Sequence, residues 1–252
     1  VVRLSNLAAA VSFLTRIPVR LREEPSMTAA VPWFPVVGAG IGVIVGGLAI
    51  GLAELVPMSV AAAIAVLVGV LITGAFHEDG LADVADAFAG GWTVEQRLRI
   101  LKDPLHGSYG VAALCGSILL RVVALAALGP AAAFSGAVAA HTLGRGAAVG
   151  LMATVKVATV DGLGADYARS LPRRSAVIGV LAALAIAAAA TGWWVGPLAV
   201  AALLATIAVG WLAVRKIGGV TGDVLGATEQ VAECLVLVTV TALASRHALY
   251  WQ

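Results

Sequence analysis

The chain has 252 residues, of which 61% are hydrophobic and only 12% charged. A soluble globular domain carries roughly 25% charged residues, so this one has too few to coat a surface facing water, and its apolar runs are long enough to cross a bilayer. The net charge of +2, from 16 basic and 14 acidic residues with no basic tail, excludes a nucleic-acid-binding excess. The reading is all-α: a single integral-membrane domain over residues 1–252, folded as a polytopic transmembrane helical bundle in the lipid bilayer. Cys115 and Cys234 both lie in apolar stretches and are read as buried free thiols, with no disulfide or zinc framework. Residues 1–21 lack the layout of a cleavable signal.

In chain order, residues 3–22 come first. Leu4, Leu7, Val11 and Leu14 recur at helical spacing with Arg3, Asn6 and Arg16 elsewhere, which predicts an interfacial amphipathic helix rather than a span. Seven apolar spans follow, over 33–53, 59–76, 109–128, 132–153, 176–193, 198–214 and 231–244. The last is short unless its helix starts near Leu225. Gly38, Gly42 and Gly46 in the first span, and Gly146 and Gly150 in the fourth, are spaced for close helix packing. With the connecting segments alternating between two sides, thirteen of the sixteen basic residues fall on the side of the N-terminus and the 77–108, 154–175 and 215–224 loops. Arg246 alone falls on the other side, with Gln252, and Arg121 and Arg145 lie within spans. By the positive-inside rule the crowded side is cytoplasmic.

The acids carry the chemistry. Nine of fourteen sit in two cytoplasmic segments. In residues 76–91, Glu78, Asp79, Asp83 and Asp86 are set among small and apolar residues. If this stretch is helical, Asp79, Asp83 and Asp86 fall within roughly 60° of arc on one face, with Gly90 and Gly91 ending the helix. No basic residue at three- or four-residue spacing neutralises them, so a cation is expected on that face, and hard carboxylate oxygens select Mg²⁺, Mn²⁺ or Ca²⁺. The alternative is a solvated acidic face. In residues 218–233, Glu229 and Glu233 share a helical face, while Gly218, Gly219 and Gly222 make a turn whose amides could approach a phosphate, beside Thr221 and Asp223. Between these segments Arg97, Arg99, Lys102, Asp103 and His106 precede a Gly-Ser-Tyr-Gly turn; the cations suit an anionic substrate. Arg145 lies about 12 Å deep in the fourth span, where an arginine needs a partner or a substrate. Arg121, nearer the opposite face, is read as snorkelling or pairing structurally.

These segments together resemble the cobalamin synthase family, the adenosylcobinamide-GDP ribazoletransferases of bacteria and archaea. The resembling pieces are Phe13-Leu14-Thr15-Arg16-Ile17-Pro18-Val19, Trp33-Phe34-Pro35-Val36-Val37-Gly38, and His77-Glu78-Asp79-Gly80-Leu81-Ala82-Asp83 with Asp86. They continue with Lys102-Asp103-Pro104 through Gly107 and Gly110, then Gly218-Gly219-Val220-Thr221-Gly222-Asp223-Val224-Leu225-Gly226-Ala227 with Glu229 and Glu233. Pro104-Leu105-His106 departs from the family's usual Ser, Arg or Phe after Lys-Asp, a change confined to the local turn. The resemblance implies transfer of the cobinamide phosphate from adenosylcobinamide-GDP to the 5′-hydroxyl of α-ribazole, or to α-ribazole 5′-phosphate, releasing GMP with Mg²⁺ as cofactor. Splitting a diphosphate calls for a metal bridging phosphate oxygens and cations on the phosphate. On that logic Asp79, Asp83 and Asp86 are metal ligands, with Glu78 supporting them. Asp223, Glu229 and Glu233 serve a second metal or the general base, for which His77 is a further candidate. Lys102, Asp103, Arg145, Thr221 and Gly222 are assigned to substrate. The expected setting is the cell inner membrane with the site facing the cytoplasm, and a homo-oligomer is left open. The pattern of CDP-alcohol phosphotransferases fails, because Asp83 stands where it needs alanine. An ion-coupled transporter would hold its acids near the bilayer midplane rather than at the ends of spans.

Overall fold

The computed structural model describes residues 4–20, 27–158 and 171–249; Arg3, Arg22 and Arg169, three of the thirteen basic residues on the crowded side, and Gln252 lie outside them. Among the described residues every regular element is helical, and Val157 and Val220 form an isolated bridge. Helix α1 is Leu4–Leu14. Its eleven residues reach roughly 16 Å, too short for a hydrocarbon core of about 30 Å. Ala9, Ala10 and Leu14 are buried, Leu4 stays exposed, and Phe13 stacks on Phe34 with ring centroids 5.5 Å apart. The first helix is therefore docked along the bundle, as an interfacial element would be.

The bundle follows as α2 (Phe34–Leu52), α3 (Met58–Thr73), α4 (Phe76–Gly90), α5 (Val94–Ile100), α6 (Ser108–Ala126), α7 (Pro130–Thr154), α8 (Arg173–Thr191), α9 (Val195–Ile217) and α10 (Gly222–Ala244). Local chemistry sets several boundaries. Pro130 opens α7 at a position where no N–H is needed. The Thr93 hydroxyl accepts from the Gln96 amide at 3.2 Å to start α5, and Thr221 does the same for Val224 at 3.3 Å to start α10. Between α3 and α4 two successive residues, Gly74 (φ +66°) and Ala75 (φ +59°), take left-handed conformations, and the two helices meet at 90°. α4 thus turns across the end of the bundle and packs against α6 and α10.

Each expected span corresponds to a helix, but crossing capacity is a separate matter. By length and composition four helical runs among the described residues suffice: Thr28–Leu52, Ser108–Ala126, Arg173–Ile217 and Gly222–Ala244, or five if the bent pair α3 and α4 counts as one span. That is fewer than seven: α3, with sixteen residues, is too short to count by itself, and two further features account for the rest of the difference. The run Arg173–Ile217 contains two expected spans, parted at Gly192 (φ +60°). The other feature is α7, the central helix, which packs against α2, α8, α9 and α10. It is buried along most of its length, His141, Thr142 and Arg145 included, so its polar groups face protein instead of lipid.

The glycine stripe of α2 packs directly on the α7 backbone. A Cβ at Gly42 would lie 2.6 Å from both Ala137 O and Val138 Cα, and one at Gly46 would lie 3.0 Å from Phe134 Cα, whereas Gly40 and Gly47 face open space. Backbone cannot yield as a side chain tip can. Gly42→Ala should therefore lower stability by about 1–3 kcal/mol. Gly40→Ala should be neutral or stabilising by up to about 1 kcal/mol, since it only restricts the unfolded chain. Thermal unfolding in detergent, followed by circular dichroism, compares the two directly.

Candidate active site

The acidic stretch forms the expected helix, yet its carboxylates go to different places. Side-chain exposure is 63% for Asp79 and 13% for Asp83. His106 bridges them, with Nε2 3.4 Å from Asp79 Oδ1 and Nδ1 3.3 Å from Asp83 Oδ1. The third carboxylate at this rim comes from α10. Gly80 packs on the backbone of Asp223, where a Cβ would come within 2.8 Å of the Asp223 carbonyl, and Gly226 faces His77 and Gly80 in turn. This glycine-mediated crossing brings Asp223 beside Asp79. Thr221 Oγ1 donates to Asp223 Oδ2 at 3.2 Å.

Asp86 lies deeper. Its Oδ2 accepts from the Gly107 amide at 2.6 Å and its Oδ1 from the Gly110 amide at 2.9 Å. It holds the first turn of α6, where unpaired amides and the helix dipole favour a negative charge. Gly107 and Gly110 both crowd this carboxylate, which is why that turn carries glycines. Glu78 is one residue before Asp79, hence about 100° around the helix, and faces inward away from the rim.

Inside, Glu78 belongs to a buried polar network. Arg121 donates from Nη2 to Glu78 Oε1 at 3.0 Å and from Nη1 to Glu233 Oε1 at 3.1 Å. Arg145 pairs with Glu229, and its Nη1 lies 3.2 Å from Glu233 Oε2. His141 Nδ1 is 2.8 Å from the same Glu233 oxygen, and His77 Nδ1 is 3.7 Å from Glu229 Oε2. Gln230 Nε2 donates to Glu229 at 3.0 Å and to Glu78 at 3.2 Å, while its own oxygen accepts from Ser117. All of these side chains are buried. The cluster ties α4, α6, α7 and α10 together.

Several expectations change in consequence. Glu229, Glu233 and His77 were expected at the mouth of a span, but α10 starts at Gly222, so Glu229 and Glu233 lie two and three turns inside it. His141, Glu229 and Glu233 are the one trio of metal-binding side chains among the described residues whose donor atoms fall within 4.8 Å of one another. Two guanidiniums already neutralise these carboxylates, and a divalent cation would sit against them at low dielectric. Arg145 has its partners inside the protein rather than a substrate, and Arg121 pairs instead of snorkelling. The Gly218–Gly219 turn is engaged too: Gly218 (φ +81°) caps α9, and the Val220 amide donates to Lys156 O at 2.9 Å. Arg97 donates to the carbonyls of Gly91 and Lys216, and Lys216 to that of Phe88, so both close helix C-termini. Lys102 and Asp103 are exposed, and Asp103 Oδ1 accepts from the Leu105 amide. Cys234 is buried as expected, whereas Cys115 is exposed.

Sequence reasoning did not find the roles of His106, His141, Gln230 and Ser117. The usable signal was arithmetic: His141 and Arg145 on one span, Glu229 and Glu233 on another, each four residues apart with opposite charge.

The rim suits a hard cation by donor type, since Asp79, Asp83 and Asp223 offer oxygens with no Lys or Arg beside them among the described residues, although these oxygens do not all lie within 4.8 Å of one another. Half-burial first, then the charges of Asp79 and Asp223, push the Asp83 carboxyl up from 3.8 to about 6. The folded chain therefore binds this proton more tightly than the unfolded chain. Without divalent cations, stability should rise as pH falls through about 6 and level off below about 4. Melting temperatures measured across that range should show the rise, and Asp83→Asn should flatten it. The buried network predicts a contrast. Arg121→Ala leaves Glu78 and Glu233 underpaired in the interior and should cost about 3–5 kcal/mol, read as a collapse in melting temperature, whereas Asp79→Asn should leave the fold intact.

The family model described as cobalamin-5-phosphate synthase matches residues 6–241. Curated relatives named adenosylcobinamide-GDP ribazoletransferase align along nearly the whole chain. One from Ralstonia nicotianae is 40% identical, covering 95% of this chain and 96% of the relative. One from Shewanella frigidimarina is 40% identical over 94% of both chains. One from Chlorobaculum tepidum is 38% identical over 92% and 93% respectively. No solved structure matches. With near-complete coverage by both the family model and these relatives, the chain belongs to the cobalamin-5-phosphate synthase family.

Proposed function

We propose that this chain is an adenosylcobinamide-GDP ribazoletransferase that works with Mg²⁺ at the rim where α4 meets α10. The reading rests on family membership and on one observation: the Gly80–Asp223 crossing gathers Asp79, Asp83 and Asp223 with His106 but no Lys or Arg beside them among the described residues. A ribazole hydroxyl attacks the phosphorus attached to cobinamide, the bridging P–O bond breaks toward GMP, and the hydroxyl proton passes to a base. One detail of the expectation changes. The family's description, cobalamin-5-phosphate synthase, supports attack by a ring hydroxyl of ribose, because a product that keeps a 5-phosphate cannot also be joined through the 5′-oxygen.

Asp79, Asp83 and Asp223 would hold Mg²⁺, which when bound neutralises diphosphate oxygens and the leaving charge. Of the four groups expected to be catalytic, Asp223 alone belongs to the rim, and its role there is that of a metal ligand. Arg99 and Lys102, exposed and without an ion pair among the described residues, receive the anionic substrate. Glu78, Glu229 and Glu233 are positioning groups that fix α4 against α10. Their pairing with Arg121 and Arg145 does not favour an ion-coupled transporter, whose acids must be free to exchange cations.

Membranes containing the protein, given adenosylcobinamide-GDP, α-ribazole and Mg²⁺, should form a cobalamin and GMP; α-ribazole 5′-phosphate should give the 5′-phosphate product. Absence of product from folded protein would sink the reading. Asp79→Asn and Asp83→Asn should each lower turnover by roughly 10²–10³, with partial rescue by raised Mg²⁺ through mass action. Asp86→Asn should instead lower the melting temperature, because an amide cannot accept at both oxygens.

The topology belongs to the same proposal: seven crossings of a bacterial inner membrane, with α4 and α5 on the cytoplasmic side, supported by the thirteen-to-one basic asymmetry. Trp92, 85% exposed between α4 and α5, is a clean position for a thiol. In a background lacking Cys115 and Cys234, Trp92→Cys should resist an impermeant reagent in intact cells and react after permeabilisation. Labelling in intact cells would invert the orientation.

A further inference from the structure

Three helices enclose a groove whose lining includes none of the rim residues Asp79, Asp83, His106 or Asp223. α7, α8 and α9 surround an apolar cavity of about 520 Å³, whose lining includes Leu143, Ala147, Gly150, Val180, Leu203 and Trp211. That volume is within the ~300–1,000 Å³ of small-molecule sites. Along α7 the lining runs from Leu143 to Val155, about twelve residues or roughly 18 Å, close to one leaflet of a ~30 Å hydrocarbon core. Glycine keeps the space open: a Cβ at Gly150 would meet nothing nearer than Val180 Cγ2 at 3.9 Å, while Gly146 is closed by Ala183.

The register of the helices decides which ends meet. Gly146 faces Ala183 and Gly150 faces Val180, so α8 runs antiparallel to α7, and Gly210 lies against Leu151 and Val155. The C-terminal ends of α7 and α9 therefore share one mouth with the start of α8. That mouth is basic. Lys156 follows Val155, Arg173 and Arg174 open α8, and the Arg215 guanidinium sits 4.9 Å from the centre of the Trp211 ring. All four are exposed and make no ion pair among the described residues. Among the described residues no acid stands in 151–158, 171–180 or 203–218 to offset them; Asp161 and Asp166 lie outside the described residues.

We propose that this groove binds one acyl chain of an anionic phospholipid, with the lipid phosphate held at the basic mouth by Lys156 and Arg215. An apolar channel one leaflet long that ends in unpaired cations matches a tail and its charged headgroup, and it would hold whether or not the transferase reading does. Trp211 supplies a probe. The full chain in neutral detergent is titrated with phosphatidylglycerol carrying brominated acyl chains, and the Trp211 emission is taken as the difference between wild type and Trp211→Phe.

Quenching should saturate near one lipid per protein, and phosphatidylcholine with the same chains should bind roughly tenfold more weakly. Gly150→Leu, which fills the groove, should abolish saturable quenching without lowering the melting temperature. Should that variant fail to fold, Lys156→Gln with Arg215→Gln changes only exposed charges and should erase the headgroup preference. Linear quenching indifferent to headgroup would mean ordinary boundary lipid and overturn the proposal. So would an unchanged preference in the double variant, or sedimentation showing that Gly150→Leu turns a dimer into a monomer, which assigns the groove to a second copy.

Discussion

The rest of the structure depends on two buried arginines. An unpaired charge in a membrane interior is costly, so Arg121 and Arg145 can be accommodated only where carboxylates meet them. Glu78 of α4 and Glu229 and Glu233 of α10 do so. This constraint fixes α4, α6, α7 and α10 relative to one another more specifically than apolar contact could, because leucine-rich faces slide with little penalty and ion pairs do not. Buried ion pairs are weak sources of net stability, since desolvation offsets much of their attraction. Their effect here is on specificity: removing one partner strands the others.

That network also determines what the rim can be. With Glu78 turned inward and Asp86 accepting two backbone amides, α4 presents Asp79 and Asp83 outward. α10, held at Glu229 and Glu233, presents Asp223 to the same place. One helix pair thus carries an interior layer that is neutralised and a surface layer that is not. The division follows the helical period: neighbours one residue apart, such as Glu78 and Asp79, point about 100° apart into different dielectric surroundings. His106 joins the outer layer from the segment between α5 and α6.

Small residues supply the close approaches that both layers require. α2 reaches α7 through Gly38, Gly42 and Gly46, α4 reaches α10 through Gly80 and Gly226, and Gly144 lets α7 approach Glu229. Without a hydrophobic drive between helices inside lipid, van der Waals fit and buried polar contacts do the work. Elsewhere the same economy of side chains leaves space: Gly150 faces a cavity where Gly42 faces a backbone.

The sequence by itself determined the class and the inventory. Composition required a membrane bundle, the apolar runs located the helices, and the spacing of Asp79, Asp83 and Asp86 announced a helix with an acidic face. It also located the packing glycines of α2, because a four-residue interval is a property of one helix, but it placed Gly150 among them, which faces a cavity, and did not find Gly80, Gly144 or Gly226. Only the tertiary structure decided which acids stay free. Whether Asp86 meets solvent or the amides of Gly107 and Gly110, and whether Glu229 meets a cation or Arg145, depends on residues 21 to 84 positions away. Periodicity reports which side of its own helix a residue occupies, but the partner across the interface sets its charge environment, and that partner is chosen by the fold.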